Sequence, residues 1–208
     1  MKIIIFAIFI SFLPFSLTLQ KEDPQDFDYK LNSIAAKFKE NIMDKYICED
    51  LVNEADDVAD EIEEALKNEE YLLEEINQLK HLKKEAEALG AFIASVSGNA
   101  GYIPKIEDFM LANQRVNGDI AVVIKDKFCV DVITVKINNH ITYFLENNSA
   151  KSYIIHYKYK YPNGLESGSG KMGIFSKRVR CIYVNRENIS QNKIIVYSIK
   201  CEETNIDY

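Results

Sequence analysis

From Gln25 to Leu89 the chain carries no glycine and no proline. A backbone denied both residues has no cheap way to leave the helical basin or to reverse direction. Ala, Leu, Glu and Lys dominate the same stretch, which adds up to strong helix propensity. The spacing predicts one helix over residues 29–46 and a second that starts near Asp50, a good N-cap, and runs as far as residue 97. Acids load the first turns of the second helix, and Lys80, Lys83 and Lys84 lie toward its far end, each sign where the helix dipole favours it. With Ala55 as position a, nine of the twelve core positions through Ile93 are apolar, a coiled-coil seam. From Leu79 onward a shifted frame fits better: Leu79, Leu82, Ala86, Leu89, Ile93 and Val96 are all apolar. The change of register is either a local stammer or the junction of two helices. Asn68, in "LKNEE", is the other candidate break.

After residue 118 the periodicity changes from helical to two. "DIAVVIKDKFCVDVITVKI" predicts strands near 119–125 and 128–137, and "NNHITYFLEN" an Asn-Asn turn and a third. "SYIIHYKYKY" puts Tyr153, Ile155, Tyr157, Tyr159 and Tyr161 on one face and Ile154, His156, Lys158 and Lys160 on the other. "GIFSKRVRCIYV" and "NKIIVYSIKC" supply two more strands, with apolar faces Phe175, Val179, Cys181, Tyr183 and Ile195, Tyr197, Ile199, Cys201. The expected fold class is α+β: long N-terminal helices, as a hairpin or coiled coil, then an antiparallel sheet or sandwich of about six strands. The expected division is a signal peptide at 1–19, an acidic helical region at 20–97, a linker at 98–118 and a β domain at 119–208. The boundary is read from residues 88–109, which mix apolar residues with Gly90, Gly98, Gly101 and Pro104.

"MKIIIFAIFISFLPFSLTLQ" pairs one Lys with a short apolar run, the pattern of a secretory leader. In an oxidising compartment Cys48, Cys129, Cys181 and Cys201 are disulfide candidates with three possible pairings. Asn147 and Asn188 head N-x-S sequons and are the glycosylation candidates. The expected location is extracellular.

The net charge of −7 is unevenly spread. Residues 21–78 hold 19 acids and 6 bases, net −13, whereas residues 79–208 hold 13 acids and 18 bases, net +5. Phosphates would repel the acidic half, so nucleic acid is not an expected partner. The acidic run "EADDVADEIEEA" lacks the turn and glycine of a calcium loop and reads as a solvated helix face. The three histidines, His81, His140 and His156, stand in no metal-binding motif, and no C-x-x-C or G-x-S-x-G is present. The chain is expected to need no metal or other cofactor and to have no catalytic residues.

Gly168, Gly170 and Gly173 spell G-x-G-x-x-G. A dinucleotide turn needs a helix after those glycines, whose N-terminus meets the pyrophosphate. "IFSKRVRCIYV" follows instead, and it reads as a strand, so the stretch "YPNGLESGSG" is expected to be a flexible connection.

Residues 79–97, "LKHLKKEAEALGAFIASVS", combine Lys80, Lys83 and Lys84 with the stripe Leu79, Leu82, Ala86, Leu89, Ile93 and Val96. Cationic amphipathic helices of this kind insert into anionic membranes. Residues 49–75 just upstream carry thirteen acids and one base and would mask them. In this order of leader, acidic segment and amphipathic helix the chain resembles the trialysin and redulysin-type cytolysins of bug saliva and venom. That resemblance implies a membrane-active, pore-forming protein released by proteolysis, with an anionic membrane as partner. The other expectation is a secreted, non-enzymatic binding protein. Its helices would form a coiled coil, with a homo-oligomer formed through them, and its sheet would recognise a secreted or cell-surface protein.

Overall fold

The computed structural model describes residues 21–68, 70–98, 103–125, 127–162, 164, 167–182 and 193–204; the expected leader, Tyr183 and Asn188 lie outside the described residues. Helix α1 spans Pro24–Asn41 rather than 29–46. Its start is set by Asp23, whose carboxylate accepts from the Gln25 amide at 2.9 Å, with Pro24 at the first helical position where no donor is missed. Helix α2 spans Lys45–Ala65, and its cap is Asp44 rather than Asp50. The Asp44 carboxylate accepts from the Tyr46 and Ile47 amides at 3.0 and 3.1 Å.

The single long second helix is replaced by a hairpin. Helix α3 spans Leu73–Ser97, and the chain reverses over residues 66–72. Asn68 stabilises the reversal by accepting from the Glu70 amide at 3.0 Å, and Glu75 reaches back to the Leu72 amide at 2.7 Å. The seam changes frame at Leu79 because two antiparallel helices each carry their own. Farther along the hairpin, Gly90 admits α2 closely: a Cβ there would stand 3.5 Å from that of Ala55. Beyond Ala88 helix α3 is buried on nearly every side, so it is the central rod of the helical layer. Residues 106–116, inside the expected linker, form helix α4 (Ile106–Val116), which buries Phe109, Ala112 and Val116 and ends on Asn117 at φ 52°.

Arg115 pins this layer together. It projects from α4 to the Glu85 carboxylate of α3 and, at 2.9 Å, to Asp28 of α1, and it donates to Asn32 Oδ1 at 3.0 Å. The side chains of Arg115 and Glu85 are only 10 % and 15 % exposed.

Seven strands follow: β1 (Asp119–Ile124), β2 (Asp131–Ile137), β3 (His140–Asn147), β4 (Ser152–Lys160), β5 (Ser167–Ile174), β6 (Arg178–Cys181) and β7 (Ile195–Thr204). They form two antiparallel sheets, ordered β1-β2-β3-β6 and β5-β4-β7, completing an α+β layout. The four-stranded sheet is apolar on both faces. Ile133, Val135, Ile137, Phe144 and Val179 join the helical core. Val132, Tyr143 and Leu145 join a second core with Ile155, Tyr157 and Tyr159 of the three-stranded sheet. The molecule is thus three layers deep: helices, a shared middle sheet, and an outer sheet with one face to solvent.

Two strand assignments change. "GIFSKRVRC" is divided between β5 and β6 by a turn in which Lys177 has φ 55°. In β7 a register shift opposite Lys158 and Tyr159 inserts one residue. Val196 and Ile199 are therefore buried, whereas Ile195 and Tyr197, expected on the apolar face, are exposed.

Cys129, just before β2, is bonded to Cys201 of β7, joining the two sheets. Cys48 is buried in α2, and Cys181 packs at the edge of the helical core. The Cys129–Cys201 bond closes a separation of 72 residues and so removes much freedom from the unfolded chain. Replacing both cysteines by serine is expected to lower stability by about 2 kcal/mol. An unchanged urea midpoint would refute this.

Candidate functional site: the outer face of the three-stranded sheet

Because Tyr153, Ile155, Tyr157 and Tyr159 turn inward, β4 must present Ile154, His156, Lys158 and Lys160 outward. The pairing then brings two edge strands to the same face. His156 lies between Lys171 of β5 and Lys200 of β7, one residue directly opposite on each side. Lys158 lies between Ser169 and Ser198 in the next rung, and Lys160 is opposite Ser167 and Ile195. Directly opposed side chains stand about 5 Å apart at Cβ. Four exposed lysines therefore share one small face.

An open depression of about 600 Å³ lies here, lined by His156, Lys158, Ser169, Lys171, Ser198 and Glu202 among others. Glu202 is the acid within it, 3.5 Å from His156 Nε2, an ion pair when the imidazole is protonated. Just beyond it, Lys151 pairs with Glu203 at 2.7 Å, and that contact raises the Lys151 pKa. Like charges on neighbouring strands oppose sheet formation. Lysines on edge strands are a common guard against edge-to-edge aggregation, which accounts for Lys171 and Lys200. It does not account for Lys158 and Lys160 on the central strand.

The G-x-G motif is part of this sheet, not a connection beside it. Gly170 is opposite Tyr157 and Gly168 opposite Tyr159. Both tyrosine rings lean across the inner face onto β5, where a Cβ on either glycine would overlap them. The rings of Tyr157 and Tyr159 stack at 6.3 Å, and Tyr161 continues the row at 6.1 Å. These glycines therefore serve aromatic packing against an edge strand. Gly173 has no such neighbour: the nearest heavy atom to a Cβ there is Arg180 Nη1, at 3.9 Å. Burial between the sheets lowers the Arg180 pKa.

The amphipathic stripe lies elsewhere. Leu79, Leu82, Ala86, Leu89, Ile93 and Val96 are all buried in the helical core. Lys80 is exposed, Lys83 bonds Glu63 of α2 at 2.6 Å, and Lys84 approaches Asp108 of α4 at 3.8 Å. The Lys83 contact lowers the Glu63 pKa and raises that of Lys83. The acidic α2 and the lysines of α3 are thus joined by direct ion pairs.

Asn147 is fully buried, and its amide donates to the carbonyls of Lys151 and Phe175 at 2.8 and 2.9 Å. A glycan on that nitrogen would take the place of one of its two hydrogens, so at least one of these bonds would be lost. Among the described residues no group of three or more His, Cys, Asp or Glu is placed to hold a metal ion, and no helix is long and apolar enough to cross a membrane.

Sequence reasoning found the outward Lys158 and Lys160 but not their neighbours. Lys171 and Ser169 were hidden because "SGSG" has the composition of a loop. The alternation Ser198, Lys200, Glu202 was the available signal for β7. Comparison with known proteins finds no matching family model, no matching curated protein and no matching solved structure.

Proposed function

We propose that the chain is a secreted, non-enzymatic binding protein that docks an acidic secreted or cell-surface protein on the outer face of β5-β4-β7. The observation that carries this reading is the placement of Lys158 and Lys160 on the central strand, flanked by Lys171 and Lys200. Nothing in the packing requires them there, and the sheet bears their mutual repulsion. Lysine acts as a point charge that steers an acidic partner without demanding one geometry. Exposed Tyr197 and Ile195 at the margin supply the aromatic and aliphatic contacts that protein interfaces favour. The acidic α2 sits in the opposite layer, so the molecule is polar in charge and would present this face first. The Cys129–Cys201 bond and the leader-like start support an extracellular location.

Poly-L-glutamate serves as a probe of acidic-polypeptide binding. The purified chain is expected to bind it at low salt and to lose affinity as salt rises. Replacing Lys158, Lys160 and Lys171 by serine should weaken binding at least about tenfold with an unchanged circular dichroism spectrum. Equal binding by the triple variant would overturn the reading.

The cytolytic reading is less well supported, because the stripe of α3 would first have to leave the centre of the helical core. Leakage from phosphatidylserine vesicles after cleavage in the 66–72 reversal would favour it over the binding reading.

A further inference from the structure

The depression on the outer sheet face has an arrangement that net charge alone does not explain. In one rung Lys171, His156 and Lys200 lie side by side across β5, β4 and β7. In the next rung Ser169, Lys158 and Ser198 do the same. Opposed Cβ atoms stand about 5 Å apart, and successive rungs about 7 Å. Lys171, Lys200 and Lys158 thus mark the corners of a triangle, and the two serines flank the corner on β4. All of these residues line the depression. Among the described residues none of the three lysines enters an ion pair, unlike Lys83 and Lys151.

His156 does not compete for a ligand, because its Nε2 is buried and lies 3.5 Å from Glu202 Oε1. Glu202 is opposite Ile154, one rung beyond the lysines. Its carboxylate repels an anion that runs on past His156. The depression therefore suits one compact anionic group rather than a polyanion laid along β4.

The register shift in β7 adds an aromatic ring. Ser198 pairs with Lys158 and Val196 with Tyr159, so Tyr197 is the inserted residue. Val196 is buried on the inner face, whereas Tyr197 is 48 % exposed. The insertion sets this ring next to Ser198, beside the depression.

A carboxylate is planar and offers two oxygens, whereas a sulfate or phosphate ester is tetrahedral and offers three terminal ones. Three ammonium groups and two hydroxyls around one hollow match the tetrahedral group. Arginine, whose fork suits carboxylate and phosphate dianion, is absent from the lining among the described residues. Point charges and hydroxyls suit a sulfate ester, which keeps a single charge. The exposed Tyr197 ring fits an ester carried on an aryl group.

We infer that the depression receives an O-sulfated tyrosine of the acidic partner. The sulfate sits over Lys158 between Ser169 and Ser198, Lys171 and Lys200 close the triangle, and the partner's ring lies against Tyr197. This inference rests on the proposed acidic-protein face and names the group which that face selects.

Fluorescence anisotropy of the purified chain with a short labelled peptide tests it. The peptide has one variable position among glutamates, filled by tyrosine, glutamate, sulfotyrosine or phosphotyrosine. The sulfotyrosine form is expected to bind at least about tenfold tighter than the tyrosine form and about fivefold tighter than the glutamate form, which has the same charge. Ser169→Ala/Ser198→Ala removes no charge; it should cancel most of that preference and leave poly-L-glutamate binding unchanged. Tyr197→Ser should weaken the sulfotyrosine peptide about fivefold. Equal binding of the glutamate and sulfotyrosine forms, with poly-L-glutamate still bound, would overturn the inference and leave the docking face standing. Failure to bind any peptide or poly-L-glutamate would remove both. Tighter binding of the phosphotyrosine form would overturn the sulfate assignment. Heparin that binds more tightly than the sulfotyrosine peptide, and is lost in the serine double variant, would overturn it in favour of a sulfated glycan.

Discussion

Arg115→Met should lower stability by about 3 kcal/mol, a large loss for one polar side chain. Its guanidinium holds Glu85 of α3 and Asp28 of α1 from the short α4, so one side chain ties three helices. The Asp28 contact is half in solvent and contributes little. The Glu85 contact is different, because both partners are mostly buried. Without Arg115, Glu85 remains in the interface with only the exposed His81 imidazole, 3.5 Å away and cationic only when protonated, to offset its desolvation. For a chain of this size the melting temperature should fall by roughly 6–12 °C. Arg115→Met/Glu85→Leu should recover most of the loss, since removing both charges leaves nothing uncompensated. A urea midpoint for Arg115→Met close to that of the parent chain would show the cluster to be ornamental.

Gly170→Val is the second large effect, also about 3 kcal/mol, and it separates the three glycines of the G-x-G-x-x-G motif. The added side chain would enter the volume held by the Tyr157 ring, which is itself buried between two sheets and has nowhere to retreat. Gly168→Val should behave in the same way against Tyr159. Gly173→Ala, with 3.9 Å to its nearest neighbour, should change stability by less than about 0.5 kcal/mol. Adding Tyr157→Leu to Gly170→Val should return part of the loss by making room. Equal costs at all three positions would mean that the glycines are kept for backbone conformation rather than for the rings above them.

The motif illustrates what the sequence could disclose. That no helix follows Gly173 was legible from "IFSKRVRC", and so the dinucleotide reading could be set aside. That Ser167–Ile174 is itself a strand was not, because glycine and serine carry no alternation. Only the partner strand supplies the side chains that make β5 cohere. The same logic governs the helices. Their existence was plain from composition, and Asn68 was a candidate break, yet the reversal itself rests on Asn68 and Glu75 satisfying amides locally. Helix α4 was missed because Gly98, Gly101 and Pro104 precede a helix of only 11 residues. The register shift in β7 is invisible to any count of period two, since it arises from pairing with β4. Half of the candidate site was readable, the half on β4. The rest depends on which strands become its neighbours, and that is a property of topology.

The middle sheet is apolar on both faces, and this has a consequence for how the protein can change over generations. A substitution in β2 or β3 meets one core or the other, so these strands have little room to vary. The solvent face of β5-β4-β7 touches neither core. A lineage can therefore alter what that face recognises, one outward residue at a time, while the wall behind it keeps the helices in place.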